Sequence, residues 1–315
     1  MLRVTIAAFS LAASLAHAQP ARIELHAVPT LTPTARQFLT GERGDKASLI
    51  AAELRLPQSS AGKLPAVMLM HDAAGIDAAI EAWSNELLGQ GIAVLIVDSF
   101  SGRGIADTVQ DPDRLSGLAL LFDAYRMLER LAQHPRIDAE RIAIIGFGKG
   151  ALAAVYSSMA RFERMYGPPN AMFAAHIGFH TPCNVSYIGE TQTGNKPIRL
   201  FHGAADDLEP VAHCREFLQR LRRAERDAQL IEYAGAQRQF DVPGPASREV
   251  RGQNRGACRL EERAGGQIVS LADGKPFTPA DRCVTQGAHA GYDAAAHAQA
   301  VNAVKAFLAE VFRLR

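Results

Sequence analysis

The stretch that most constrains this chain runs from Arg141 to Ala151. There Ile142, Ala143, Ile144 and Ile145 lead directly into Gly146-Phe147-Gly148-Lys149-Gly150, and a helix-forming, alanine-rich segment follows at 152–162. β-Branched residues favour extended backbone, and closely spaced glycines allow a turn where Cβ atoms would collide. The stretch reads as strand, sharp turn, helix, with Gly148 at the apex.

The same grammar recurs along the chain. Apolar runs at 67–70, 92–97, 142–145, 174–177, 198–201 and 230–233 predict strands, after an imperfectly alternating one at 49–56. Helical spacing marks 78–88, where Trp83 and Leu87 share a face, and also 115–131, 211–222 and 295–312. Strands alternating with helices predict an α/β architecture, a mostly parallel sheet covered on both faces, whose strand C-termini carry the loops that build a site. The segment 244–290 breaks this rhythm: rich in glycine and charge and weakly periodic, it is expected to be a long surface excursion. Nothing divides the remainder, so 19–315 is expected to form one domain.

Charge argues against one class of partner. Lys and Arg number 34 against 33 Asp and Glu, and no basic stripe stands out, so there is no electrostatic footprint for nucleic acid. At the N-terminus, Arg3, the mostly apolar run 4–15 and the small residues of Ala16-His17-Ala18 predict an export signal over 1–18, with a mature chain from Gln19 and a periplasmic destination. The run is too short and too broken by serine to span a bilayer, and no later stretch is a candidate, so stable membrane insertion is not expected. In an oxidising compartment the four cysteines, Cys183, Cys214, Cys258 and Cys283, are expected to form two disulfides. Count alone allows three pairings. Joining Cys258 to Cys283 would staple the excursion, and Cys183 with Cys214 would link neighbouring sheet connections. No close Cys-x-x-Cys or Cys-x-x-His pair suggests a metal site, and no cofactor is implied.

The turn at Gly148 has the context of a G-x-S-x-G nucleophile elbow, in which a strand delivers a serine to the tip of a strained turn before a helix. Gly148 carries neither hydroxyl nor thiol, so no covalent ester intermediate forms there. Glycine accepts the unusual backbone angles of such a turn without strain. Ser99 and Ser101 lie before Gly102-Arg103-Gly104, a loop without an elbow signature, where Arg103 is expected to hold the loop together.

Beyond the elbow, several segments occur in a characteristic order: His71 to Gly75 after a strand, Asp98-Ser99-Phe100, Pro182-Cys183-Asn184, and His202-Gly203-Ala204-Ala205-Asp206-Asp207. Pro210, Cys214, Gly235-Ala236, Phe240-Asp241 and Cys283 through Gly287 to Gly291-Tyr292 complete the series. In these the chain resembles the dienelactone hydrolase family of the α/β-hydrolase superfamily, specifically its exported bacterial branch. The resemblance covers nearly the whole mature chain and implies an α/β-hydrolase fold and a carboxylic-ester or lactone hydrolase. Members carry nucleophile, acid and histidine in that chain order. By position these places fall on Gly148, Asp206 and Arg238, so only the acid is retained. The family also has a glycine after the first-strand histidine, whereas His71 is followed by Asp72 and Ala73.

These replacements set the chemical expectations. Arg238 stays protonated and cannot serve as a base. The chain is therefore expected to lack ordinary serine or cysteine esterase activity, as a pseudoenzyme does, while keeping a pocket for a small molecule or anion. The helix N-terminus after Gly148, with Lys149 and Arg238, would attract a small carboxylate, ester or lactone, although an inward Asp72 side chain works against this. Arg238 is expected to pair with Asp206 in place of the ancestral histidine. His71 reads as support for the oxyanion loop, with Asp72, Ala73 and Lys149 around it, and His180 and His202 read as packing or hydrogen-bonding histidines. His289 is the remaining candidate for a replacement base, since its excursion is long enough to return to the pocket. The alternative is an active hydrolase that uses relocated residues or a water oriented by Asp206 with His289 or His71.

Overall fold

The computed structural model describes residues 20–58 and 62–314. The expected export signal lies outside them. Strands β1 (Arg22–Leu31), β2 (Ala47–Leu56), β3 (Leu64–Met70), β4 (Ala93–Asp98), β5 (Ile137–Phe147), β6 (Ala175–Phe179), β8 (Ile198–Gly203) and β9 (Ala228–Tyr233) form an eight-stranded sheet in the order β1-β2-β4-β3-β5-β6-β8-β9. β2 runs antiparallel to both its neighbours, and every pairing from β4 to β9 is parallel. The two-residue β7 (Val185–Ser186) lies outside this sheet.

Side-chain alternation along the strands decides what each face buries. Val67, Leu69, Val94, Ile96, Ala143 and Ile145 point to α2 (Ala78–Leu88) and α7 (Ala294–Phe312). Met68, Met70, Leu95, Val97, Ile142 and Ile144 point to the opposite face. There they meet α1 (Ala35–Thr40), α3 (Gly117–Ala132), α4 (Lys149–Tyr156), α5 (Ala160–Tyr166) and α6 (Val211–Arg223). The result is the α/β architecture expected from the alternation, in the α/β-hydrolase form that the resemblance implies.

Three sequence expectations need correction. The single helix expected at 152–162 is two, because Ser157 turns its hydroxyl back onto the Ala154 carbonyl at 2.8 Å and α4 ends at Tyr156. The edge strand β1 was not expected, because its outward face carries Ile23 and Leu25 in solvent and blurs the alternation. The excursion, read as weakly organised, holds β10 (Arg248–Asn254), β11 (Leu260–Arg263), β12 (Gln267–Ser270) and β13 (Thr285–Ala290). β10 pairs with β13, and the β11–β12 hairpin adds β7 in parallel.

The disulfides are Cys183–Cys214, which ties the segment after β6 to α6, and Cys258–Cys283 within the excursion. No free thiol remains. Further bonds fasten the excursion over the loops at the strand C-termini. Asn254 donates to the Asp207 carbonyl at 2.9 Å, His213 to that of Gly256 at 2.7 Å, and Gln110 to that of Arg251 at 3.2 Å. On the other side of the sheet centre, Arg103 meets Asp123 through two bonds of 2.7 and 2.9 Å while also donating to Thr32, Leu31 and Ser99. Arg103 thus holds its loop against β1 and α3, the packing role expected from sequence. No helix among the described residues is long and apolar enough to cross a membrane.

Candidate active site

The elbow survives without its nucleophile. Gly148 joins β5 to α4 with φ +49° and ψ −113°, and its N–H donates to the Phe179 carbonyl at 2.8 Å. The flanking glycines permit close approach: a Cβ at Gly146 would strike the Gly150 backbone, and one at Gly150 would strike the Met70 and His71 carbonyls. α4 has no side-chain cap of its own.

A carboxylate from elsewhere fills that role. Asp72, just after β3, places Oδ1 where it accepts from the Lys149 N–H at 2.9 Å and from the Ala73 N–H at 2.6 Å. An amide after the nucleophile and one from the loop after β3 are the two donors of an α/β-hydrolase oxyanion hole. The protein's own carboxylate occupies them. Its other oxygen, Oδ2, accepts from Arg238 Nη2 at 2.6 Å, and both side chains are buried. A Cβ built on Gly148 falls closer than 3.0 Å to Asp72 Oδ1, Asp72 Cγ and Arg238 Nη2, nearer than real Cβ atoms approach. The missing side chain at 148 and the Asp72–Arg238 pair are one structural feature.

Electrostatics follow from the geometry. Burial opposes ionisation of Asp72, but the Arg238 charge and the two amide bonds outweigh it and hold the carboxyl below the usual range. Burial likewise works against the Arg238 cation, and Asp72, Asp206 and Glu209 reverse the balance and push its pKa up. The expected ion pair of Arg238 with Asp206 is therefore corrected: the guanidinium reaches Asp72, 166 residues away in sequence. Asp206 turns its Oδ1 to the Leu208 and Glu209 amides at 3.0 and 2.8 Å.

Lys149 also departs from expectation. Its Nζ donates to Thr108 Oγ1 at 2.8 Å and to the Pro112 and Leu115 carbonyls at 2.9 and 2.7 Å, pinning the loop before α3 instead of facing the elbow. Burial pulls its pKa down to about 8. Glu209, at the start of the turn into α6, was not singled out in the sequence. Burial pushes its carboxyl up to about 8, with Arg238 pulling the other way and Asp206 and Asp72 reinforcing the rise.

Each histidine has a definite place. His71 is buried against Phe100, with ring centroids 4.3 Å apart. Its Nδ1 donates to the Asp72 carbonyl at 2.8 Å and its Nε2 accepts from the Ser99 N–H at 3.3 Å. With both nitrogens engaged, it braces the loop that presents Asp72 and Ala73. His202 donates through Nε2 to the Glu209 carbonyl at 2.6 Å. His289 lies at the surface of β13, where its Nδ1 meets Asp207 Oδ2 at 2.7 Å and its side chain is 53% exposed. Asp207, not the elbow, is its partner.

His180 follows Phe179, whose carbonyl holds Gly148. It has φ +52°, and its Nε2 donates to Asp241 Oδ1 at 2.8 Å. Trp83 Nε1 donates to the other Asp241 oxygen at 2.9 Å. On the far side of the ring, Nδ1 lies 3.9 Å from Asp206 Oδ2. A buried histidine set between two carboxylates is a polar network that local sequence did not reveal, although Phe240-Asp241 was among the characteristic segments. No group of three or more potential metal ligands occurs among the described residues.

Comparison with known proteins agrees with the architecture. A sequence profile described as the dienelactone hydrolase family matches residues 50–312. A probable 2-oxo-3-(5-oxofuran-2-ylidene)propanoate lactonase from Bradyrhizobium sp. is 24% identical over 204 residues, covering 57% of this chain and 74% of the relative. Among solved structures, a dienelactone hydrolase-like promiscuous phosphotriesterase from metagenomic libraries superposes with a TM-score of 0.58 at 18% identity, covering 92% of this chain and 98% of that one. A putative dienelactone hydrolase from Klebsiella pneumoniae gives a TM-score of 0.50 at 18% identity over 70% of this chain and 89% of its own. With an intact elbow backbone, the full strand order and a profile match across most of its length, the chain belongs to the dienelactone hydrolase family.

Proposed function

We propose that this chain is an exported, single-domain member of the family without ordinary serine or cysteine esterase turnover, whose anion-binding elbow is held closed by Asp72. The observation that carries the reading is the Asp72 carboxylate on the Lys149 and Ala73 amides, where the oxyanion of an acyl-transfer reaction would form. The elbow supplies no nucleophile, no thiol is free, and Arg238 is a permanent cation, so the nucleophile and the base of covalent hydrolysis are both missing. Two disulfides favour an oxidising compartment, in keeping with the export signal expected from the sequence. A small carboxylate, ester or lactone binding at the elbow would have to displace Asp72 from Arg238 and from both amides.

The test uses the mature chain and the triple variant Gly148→Ser, Asp72→Gly, Arg238→His on activated esters and small lactones. Replacing only Gly148 and Arg238 is insufficient, because Asp72 would still fill the oxyanion hole. A silent parent and a triple variant with saturable turnover support the proposal. Saturable turnover by the parent refutes it.

A second reading, hydrolysis by relocated residues, draws on the His180–Asp241 pair, a base and its orienting carboxylate at 2.8 Å. Under that reading the parent is active and His180→Gln abolishes its turnover, while His289→Ala leaves it intact.

A further inference from the structure

Three of the seven large apolar side chains exposed among the described residues lie together at one corner of the sheet. They are Ile23 at 53%, Leu25 at 81% and Leu49 at 52%. The register sets Ala27 opposite Ala51 and Pro29 opposite Leu49, and alternation turns these residues to the same face as Ile23 and Leu25. That corner is also an edge: β1 pairs with β2 on one side, and no described strand pairs with it on the other. Such a strand presents unpaired backbone groups as a template for another chain.

The ladder fixes which backbone groups face outward. Thr32, just beyond β1, donates its N–H to the Lys46 carbonyl at 2.9 Å. In an antiparallel pair the backbone groups of successive residues point to alternate sides, so even-numbered residues of β1 turn to β2 and Ile23, Leu25 and Ala27 turn outward. The Leu31 carbonyl follows the same parity, meeting Arg103 Nη2 at 3.1 Å. Pro29 has no N–H to give and ends the free edge.

A second copy of this chain fits that edge. Antiparallel pairing about a twofold axis at Leu25 sets Leu25 against its own counterpart and Ile23 against Ala27 of the other copy. Each of the three residues then exchanges N–H and carbonyl across the axis. On the opposite face Glu24 of one copy meets His26 of the other and Arg22 meets Val28, so no like charges are opposed. Centring the pairing farther along the strand would bring Pro29 into the ladder. A pairing of this symmetry consumes the edge it uses and closes at two chains.

We propose that the chain forms a twofold dimer through β1, joining two sheets edge to edge into one continuous sheet. The Leu25 pair becomes the centre of an apolar strip that runs from Leu49 and Ala51 of one copy to those of the other. Strands β2, β4 and β3 separate β1 from β5, which carries the elbow, so the dimer leaves the Asp72 site unaltered and is independent of the proposed function.

The experiment is sedimentation velocity on the mature chain over a concentration series from micromolar to millimolar, with hydrogen exchange followed in parallel. The mass is expected to rise toward two chains, and the Ile23, Leu25 and Ala27 amides to gain protection as it does. Ala27→Pro removes an outward N–H and leaves the β1–β2 ladder whole, while Leu25→Lys places like charges on the axis. Both are expected to stay monomeric with the parent's unfolding midpoint at low concentration, and Leu25→Lys carries the test if Ala27→Pro fails to fold. Leu49→Lys, on the same apolar face but one strand in from the edge, is expected to dimerise as the parent does. A parent that stays monomeric throughout, or undiminished dimerisation of Ala27→Pro or Leu25→Lys, overturns the proposal. So does loss of the dimer in Leu49→Lys, which would mean that two copies pack face to face.

Discussion

Gly148→Ser, a simple restoration of the family's nucleophile, is expected to damage this protein rather than revive it. The new side chain would have to adopt φ +49° and ψ −113°, and its Cβ would press on Asp72 and Arg238 inside 3.0 Å. A strained non-glycine conformation costs about 1–3 kcal/mol. Parting one member of a buried ion pair from the other costs about 3–5 kcal/mol. Together these reach about 4–8 kcal/mol, a large share of the roughly 5–15 kcal/mol that stabilises a typical protein. For a chain of this size the unfolding temperature should fall on the order of 6–13 °C. The diagnostic quantity is the coupling with Asp72. Asp72→Ala alone strands the Arg238 cation and costs about 3–5 kcal/mol, but it also vacates the space the serine needs. The double variant should then be about 3 kcal/mol or more better than the sum of the two single changes. Urea unfolding followed by the fluorescence of the lone tryptophan, Trp83, whose indole is bonded to Asp241, measures all four proteins. Gly148→Ser within about 1 kcal/mol of the parent, or strictly additive changes, would show that Asp72 does not hold the nucleophile's place.

Stability should depend on pH in two separate windows, for opposite reasons. Asp72 and Asp241 are held below the ordinary carboxyl range despite burial, so their contribution is present above that range and is lost as pH falls through it toward their folded values. Glu209 is raised from 4.5 to about 8 by burial, so its contribution is present below 4.5 and is lost as pH rises toward 8. Glu209→Gln should flatten the decline between 4.5 and about 8 and leave the acid one intact, as read from unfolding midpoints across pH. Asp123→Leu, which leaves Arg103 buried and unpaired, should cost about 3–5 kcal/mol, and Arg103→Leu added to it should recover part of that loss in the same assay. Replacing Cys258 and Cys283 by serine should cost about 2–4 kcal/mol and speed hydrogen exchange first in β10 to β13. His289→Ala should leave the unfolding midpoint unchanged, because its contact with Asp207 is at the surface.

Much of the site lay in the order of the residues, and its assembly did not. The periodicity of 67–70, 92–97 and 142–145 against 78–88 and 115–131 was enough for the sheet and its two helical layers, because a half-turn or a 100° step per residue is a local property. Gly148 announced by itself that no covalent ester forms at the elbow, since a missing hydroxyl needs no coordinates to be missing. Arg238 announced a permanent cation. What neither could announce was the partner. Asp206 and Asp72 were both available carboxylates on neighbouring loops, and choosing between them required the direction in which a side chain leaves its loop. That direction is set by the register of β3 against β5 and by the brace of His71, contacts that link residues far apart in the chain.

The sequence by itself determined an α/β sheet, an elbow without a nucleophile and a histidine place filled by a cation, because these reside in residue identity and local pattern. Only the tertiary structure decided that Asp72 fills the oxyanion hole, that Lys149 turns away from it and that His180 stands between Asp206 and Asp241. The physical reason is that buried charges take the partner that geometry and desolvation leave within reach, and reach is a property of the folded chain.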